Sequence, residues 1–149
     1  MKRCRPIGRL LRAAAFVLPF VAAGCIPPIR SIVAELPAAG WSEAAVIRYA
    51  NTDTLALRDL HLFLRLGDAC REDTLTLRIE TCTPERLRAT EYHRLVLATP
   101  RRASAVQPLV ELPYRRDVRL CEEGDYHFVL TPVRPVQGIE AVGLRIMNR

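Results

Sequence analysis

The sequence lacks the short motifs that most often mark an active site. It has no Gly-x-Ser-x-Gly, no Cys-x-x-Cys and no glycine-rich phosphate loop. His61, His93 and His127 are far apart along the chain, and His61 and His127 fall on polar faces of candidate strands, where histidine is usually just solvated. The acidic residues around Gly124 do not have the ligand spacing of an EF-hand. We therefore expect a non-enzyme with no metal site, no cofactor and no small-molecule substrate.

A hydrophobic run long enough to cross a membrane is also missing near the N-terminus. The apolar segment Ala13–Ala23 is well short of the ~20 residues that span a bilayer, and Pro19 would kink a permanent helix. Five basic residues and no acid precede it: Lys2, Arg3, Arg5, Arg9 and Arg12. This order of basic and then apolar residues is typical of an export signal.

The residues after this segment favour a bacterial lipoprotein signal. Ala23 and Gly24 are small and stand directly before Cys25, so cleavage after Gly24 would leave Cys25 at the N-terminus to carry lipid. The alternative is an ordinary secretory signal with a coincidental cysteine, since lipoprotein signals usually have a larger residue than Ala22. We expect a chain anchored to a bacterial membrane through Cys25. No acid follows Cys25 directly, which favours the periplasmic side.

Composition divides the chain into three parts. Residues 1–24 are the predicted signal peptide, and 25–40, which contain Pro27, Pro28 and Pro37, are predicted to be an extended lipid-anchored tether. Residues 41–149 are predicted to form one folded domain. No concentrated basic patch is present, and without the signal the 17 basic residues nearly balance the 16 acidic ones. Nucleic-acid binding is therefore not expected.

Apolar residues beyond Trp41 mostly recur with a period of two, which predicts strands with one buried face. The clearest runs are Leu60–Leu66, Leu75–Ile79, Tyr126–Leu130 and Val142–Ile146, and weaker ones are Ala45–Ala50, Leu95–Thr99, Leu109–Leu112 and Val118–Cys121. Pro84–His93 is predicted to contain one or two helical turns. Seven or eight short strands predict an all-β, antiparallel β-sandwich.

Prolines and cysteines give weaker indications. Pro100, Pro108, Pro113, Pro132 and Pro135 are predicted at or beyond strand ends, because proline cannot donate a ladder hydrogen bond. Cys70 and Cys82 flank a strand and would lie too far apart for a disulfide. A pairing of Cys121 with either of them, or three free thiols, stays open.

The C-terminal region resembles a known family. Gly124–Phe128 and the closing run Gly138–Ile146, preceded in order by Cys25, Trp41 and the leucine-rich Leu60–Arg65, resemble the gliding-motility lipoprotein H family of the Bacteroidetes. Two stretches depart from that family's pattern, Leu66–Cys70 and Thr131–Pro135. The resemblance implies an accessory lipoprotein of the gliding and type IX secretion machinery, with no catalytic residues.

Two functions from different classes follow as expectations. The first is a non-catalytic scaffold or interaction subunit that contacts other envelope proteins, with Trp41 and Arg145 as speculative contact residues. In the closing run, Val142, Leu144 and Ile146 should face the core and Arg145 the outside, where pairing with a cross-strand acid is the simpler role. Gly143 on that outer face would permit close approach of a neighbouring group. The second function is a glycan-binding module, with Trp41 or Tyr114 stacking on sugars.

Overall fold

A computed structural model describes residues 29–97 and 109–149 of the chain. The predicted signal peptide and Cys25 lie outside these residues. The described part contains eight strands and no helix: β1 (Ile29–Glu35), β2 (Ala45–Asn51), β3 (Leu57–Leu66), β4 (Thr74–Cys82), β5 (Arg88–Val96), β6 (Leu109–Arg119), β7 (Gly124–Pro132) and β8 (Ile139–Asn148). Within these residues no helix is long and apolar enough to span a membrane.

The strands form two four-stranded antiparallel sheets that pack face to face. Sheet 1 has the order β1-β8-β3-β6, and sheet 2 has the order β2-β7-β4-β5. Each sheet therefore has one edge strand from the start of the chain and one from its middle. This architecture is the predicted β-sandwich.

Period-two alternation explains which side chains fill the space between the sheets. On β4, for example, Leu75, Leu77 and Ile79 are buried, and the residues between them face outwards. Val142, Leu144 and Ile146 of β8 are at most 1% exposed and lie in the same core, as expected. Apolar burial on both inner faces is the main source of stability in such a sandwich.

The domain begins earlier than the sequence indicated. Residues 29–35, assigned to the tether, form β1 and pair with β8 from Ile29↔Met147 to Glu35↔Ala141. The tether assignment is wrong for this segment because Ile29–Glu35 alternates and hydrogen-bonds to β8 despite the prolines on either side. Ile32 and Ala34 pack against the core, whereas Val33 points outwards.

Two further expectations about strands are wrong. Residues 88–93, placed in helical turns, belong to the nine-residue strand β5, which pairs with β4 without a register shift. Pro113 lies inside β6 rather than at its end, so the two weak candidates on either side of it form one strand. An edge strand tolerates Pro113 because one of its sides needs no ladder donor.

β6 is irregular around this proline. Its pairing with β3 shifts register twice, between Arg58 and Leu60 and between Leu60 and His61. Asp117 has a positive φ of 54°, and its amide donates to the Asp59 carboxylate at 3.0 Å. Such bulges bend an edge strand and disfavour pairing with another chain.

The turn before β8 brings two backbone segments into contact. Gly138 has φ +73°, and a Cβ at this position would lie 2.0 Å from the amide nitrogen of Cys70. Its carbonyl accepts a hydrogen bond from the Gly67 amide at 2.8 Å. Gly138 is thus required by this close approach.

The three cysteines of the described domain do not form a disulfide. Cys70, Cys82 and Cys121 are all free thiols, which was one of the alternatives left open by the sequence.

Candidate interaction surface

The outward face of sheet 1 carries a group of paired polar side chains at its centre. The Glu111 carboxylate of β6 accepts from Arg145 of β8 and contacts His61 Nδ1 of β3 at 2.9 Å. Arg145 Nε also donates to Ser31 Oγ of β1 at 3.2 Å. These four residues, here called the Glu111 cluster, join all four strands of the sheet.

Strand register explains why these residues meet. His61 is opposite Arg145 on one side and Pro113 on the other, and Arg145 is opposite Ser31. Long side chains can also reach diagonal neighbours. Glu111 is opposite Phe63 and so diagonal to His61, and its carboxylate contacts both His61 and, across β3, Arg145. Each of the three side chains is only 24–30% exposed. Partial burial makes their geometry better defined than that of an exposed ion pair.

An aromatic ring lies over Gly143, the second glycine of the closing run. Phe63 is only 6% exposed although it is on the outward face of β3, and it is opposite Gly143 of β8. A Cβ on Gly143 would lie 2.0 Å from Phe63 Cζ, so the ring occupies the space of the missing side chain. The Arg145 guanidinium carbon lies 5.9 Å from the ring centroid, within cation–π range. The close approach expected at Gly143 is thus made by Phe63.

Exposed apolar residues surround the Glu111 cluster. Ile29 and Val33 of β1 are 58% and 47% exposed, and Leu109 of β6 is 54% exposed. A fixed polar centre with apolar residues beside it is a suitable arrangement for protein recognition, since the charged groups are already oriented.

Of the two predicted contact residues, Arg145 lies on the surface and Trp41 lies in the core. Arg145 faces outwards and pairs with a cross-strand acid, which was the simpler of its two expected roles. Trp41 is 1% exposed, and its indole nitrogen donates to the Glu43 carbonyl at 2.8 Å. The expectation that Trp41 contacts a partner is therefore corrected, because a buried indole offers no surface. Its role is to fill the core, where it forms a bridge with Val136.

A second polar group connects the free edges of the two sheets. Glu91 of β5 accepts from Tyr114 Oη and, at 2.5 Å, from Arg115 of β6. His93 packs edge-on against Tyr114 with a centroid separation of 5.6 Å. Burial, followed by the hydrogen bond to Glu91, raises the pKa of Tyr114 to about 12. Burial acts to raise the pKa of Glu91, but hydrogen bonds from Arg115 and Tyr114 outweigh it and lower that pKa.

The outward face of sheet 2 has an open pocket of about 470 Å³. Cys82 and His127 are register partners there, and Asp125 lines the same pocket. They do not form a nucleophile–base pair, because the Cys82 thiol is directed at the Thr83 carbonyl, 3.7 Å away. The Asp125 carboxylate is bound by Arg48, which lowers its pKa. Within the two described segments, no three His, Cys, Asp or Glu residues are grouped as a metal site would require.

Sequence reasoning missed Glu111 and Phe63. Glu111 belongs to the weak strand candidate Leu109–Leu112, and alternation between Val110 and Leu112 could have placed it on the outward face. Which strands are neighbours is not visible in that pattern, so the Glu111–Arg145 pair could not be derived. The pairing of Phe63 with Gly143 likewise depends on the register between β3 and β8.

No protein-family model matches the chain, and a search of curated proteins finds no match. The resemblance to the gliding-motility lipoprotein H family therefore stays an inference from the motifs.

Proposed function

We propose that the protein is a lipid-anchored component of the bacterial cell envelope that acts as a non-catalytic scaffold or interaction subunit. Its lipid is carried by Cys25, and its partners are other envelope proteins. By resemblance, the machine it serves is that of gliding motility and type IX secretion. The surface offered to the partner is the outward face of sheet 1 around the Glu111 cluster.

The observation that carries the proposal is the short distance from Cys25 to the folded domain. Since β1 starts at Ile29, four peptide steps separate the two residues, and these reach at most about 14 Å. The end of the sandwich where β1 starts must then lie close to the membrane. Instead of the extended tether predicted over 25–40, at most these few residues would separate the domain from the lipid surface.

The side chains at this end suit such a position. Leu55, in the loop between β2 and β3, is 77% exposed, and Leu87, in the turn before β5, is 62% exposed. Both lie at the same end as Ile29, because β3 starts and β4 finishes there. Exposed apolar residues at a lipid surface contribute binding energy in addition to acyl chains, which bind stably when at least two are present.

The orientation can be tested with an environment-sensitive dye. Leu55→Cys and Val133→Cys would be labelled separately in a chain carrying Cys82→Ser and Cys121→Ser, since Val133 is also exposed but follows β7 at the opposite end. We expect the dye at position 55, but not at 133, to report an apolar environment in membranes. Equal signals at both positions would contradict the orientation. Membrane association that Cys25→Ser leaves unchanged would contradict the anchor.

The scaffold role can be tested by photo-crosslinking in the native host. A photoreactive residue at Val33 samples the outward face of sheet 1, and one at Val46, with similar exposure, samples that of sheet 2. We expect an envelope protein to be crosslinked from position 33 and not from 46, and Arg145→Glu to abolish the product. Identical products from both positions, or none from position 33, would contradict the proposal.

The glycan-binding alternative has less support. Trp41 lies in the core, and Tyr114 is packed against His93 with its hydroxyl bound to Glu91. Sugar stacking needs an open aromatic face, and neither residue offers one. The scaffold role is therefore preferred.

A further inference from the structure

The four edge strands of the sandwich are not equally protected against pairing with another chain. β6 carries Pro113 and two register shifts, which are common protections of an edge. β1 and β2 are shorter, at seven residues each, and lie close to one another where the sheets meet. β5 has nine residues, neither proline nor glycine, and a regular ladder to β4 from Arg88 to Val96.

The outer side of β5 is open among the described residues. β5 ends the order of sheet 2, and no described strand pairs with its outer side. Alternate residues of an edge strand direct their amide and carbonyl groups away from the sheet, where they can bind another strand. Glu91 is held by Tyr114 and Arg115, so this edge is fixed in position.

We propose that β5 pairs antiparallel with β5 of a second copy of this chain, with Tyr92 on the two-fold axis. This joins the two copies of sheet 2 into one continuous sheet. The surface goes beyond the scaffold function proposed above and does not depend on lipid attachment.

Avoidance of like charges directly opposite each other selects this register. With Tyr92 opposite its own copy, Thr90 is opposite Arg94, Arg88 is opposite Val96, and Glu91 is opposite His93. No like charges are directly opposite each other, and all nine residues of β5 are used. Moving the register by two residues in one direction puts Arg88 opposite Arg94 twice, and moving it in the other leaves Arg88 and Ala89 without partners. Like charges directly opposite each other are destabilising, so the Tyr92-centred register is favoured.

Exposed side chains support the same contact. Tyr92 is 68% exposed and Val96 is 63% exposed, both on the outward face of β5. In the proposed pair, Tyr92 would contact its own copy, and each Val96 would cover the aliphatic part of the opposite Arg88. A single pair of nine-residue strands is smaller than a standard stable interface, so the dimer should be weak in dilute solution.

Disulfide trapping in the full chain tests both the contact and its register. All variants carry Cys82→Ser and Cys121→Ser, and this parent is the first control. Directly opposite residues have Cα atoms about 4.5–5.5 Å apart, within the range that a disulfide bridges. We therefore expect Tyr92→Cys to form a covalent dimer under mild oxidation. Val46→Cys, on the exposed outward face of β2, should not.

The register is tested by two variants that must be mixed. Thr90→Cys or Arg94→Cys alone should give no dimer, because each is displaced from its own copy by four residues, about 13 Å along the strand. Coexpression of the two, with tags of different size, should give the mixed dimer only. Adding Tyr92→Lys should abolish most of this product, because two lysines then meet on the axis, whereas Tyr92→Phe should retain it.

Several outcomes would overturn the proposal. Dimers from Thr90→Cys alone at the level of the mixed pair would reject the register. Absence of any product from Tyr92→Cys, a product equally abundant from Val46→Cys, or crosslinking of position 92 to a different protein would reject the second copy as occupant.

Discussion

At the scale of single residues, Gly143 shows how a missing side chain can be part of the packing. The Phe63 ring occupies the site where a Cβ would be, and Arg145 lies above the ring. Glycine normally weakens a strand, and an aromatic residue on the neighbouring strand compensates for this by covering the backbone. Its position on the outer face was predictable from alternation, whereas its aromatic partner was not, because that depends on strand order.

Replacing Gly143 by alanine should destabilise the domain. The new methyl group would force Phe63 from its position, at a cost of about 1–3 kcal/mol in the free energy of unfolding. In a Phe63→Ala background the same change should be neutral or stabilising, because the clash is removed and glycine's entropy cost with it. Urea unfolding of the four variants measures this coupling, and equal effects in both backgrounds would contradict it.

Tyr114 should make stability fall at alkaline pH. Its pKa is raised to about 12 from 10.0, so between these values the folded state keeps a proton that the unfolded chain has lost. Stability must then decrease as pH rises through this window. Tyr114→Phe should reduce the fall of unfolding free energy with pH but not remove it. The pKa of Tyr126 is also raised, first of all by burial, and adds to the same fall.

Two measurements check this prediction. Absorbance of the phenolate form should show a transition near pH 12 that is missing from Tyr114→Phe, and urea unfolding at several pH values above 10 gives the slope. A variant with an unchanged titration curve would show that Tyr114 is not the group with the raised pKa.

At the scale of strands, β1 shows what sequence patterns conceal. Its seven residues alternate, but nearby prolines suggested a tether, and only pairing with β8 identifies it as part of the domain. β5 and β6 were misassigned for a similar reason. Pro84 and Pro113 are local signals that carry no information about which strand pairs with which, whereas the four strands with strong alternation are confirmed.

Adjacent residues of β1 provide a matched test of its role. Ile32 packs against the core and Val33 faces outwards, so Ile32→Asp should cost about 2–4 kcal/mol of unfolding free energy through burial of an unpaired charge. Val33→Asp should change it by less than about 0.5 kcal/mol. Equal, small effects of both substitutions in thermal or urea unfolding would mean that β1 is not part of the stable domain.

At the scale of the whole molecule, the fold class followed from period-two alternation and turn spacing, because both are local properties. The division of strands between two sheets did not follow, since β1-β8-β3-β6 and β2-β7-β4-β5 place strands from distant parts of the chain side by side. The Glu111 cluster depends on this long-range order. For the same reason, a function based on the surface of sheet 1 could be located only from the fold.

The position of β1 links the fold to the anchor. With Ile29 four residues after Cys25, lipid attachment would hold one end of the sandwich at the membrane and leave the outward face of sheet 1 accessible to neighbouring proteins. Confinement to a surface raises the effective concentration of weak partners. The account therefore depends most on the chemical state of Cys25.

Intact mass spectrometry of the native chain tests this claim most directly. We predict that its N-terminal residue is Cys25 and that its mass exceeds that of residues 25–149 by the mass of attached lipid, with Cys25→Ser abolishing both the processing and the added mass. A native chain that begins at another residue, or one that carries no lipid on Cys25, would contradict the account.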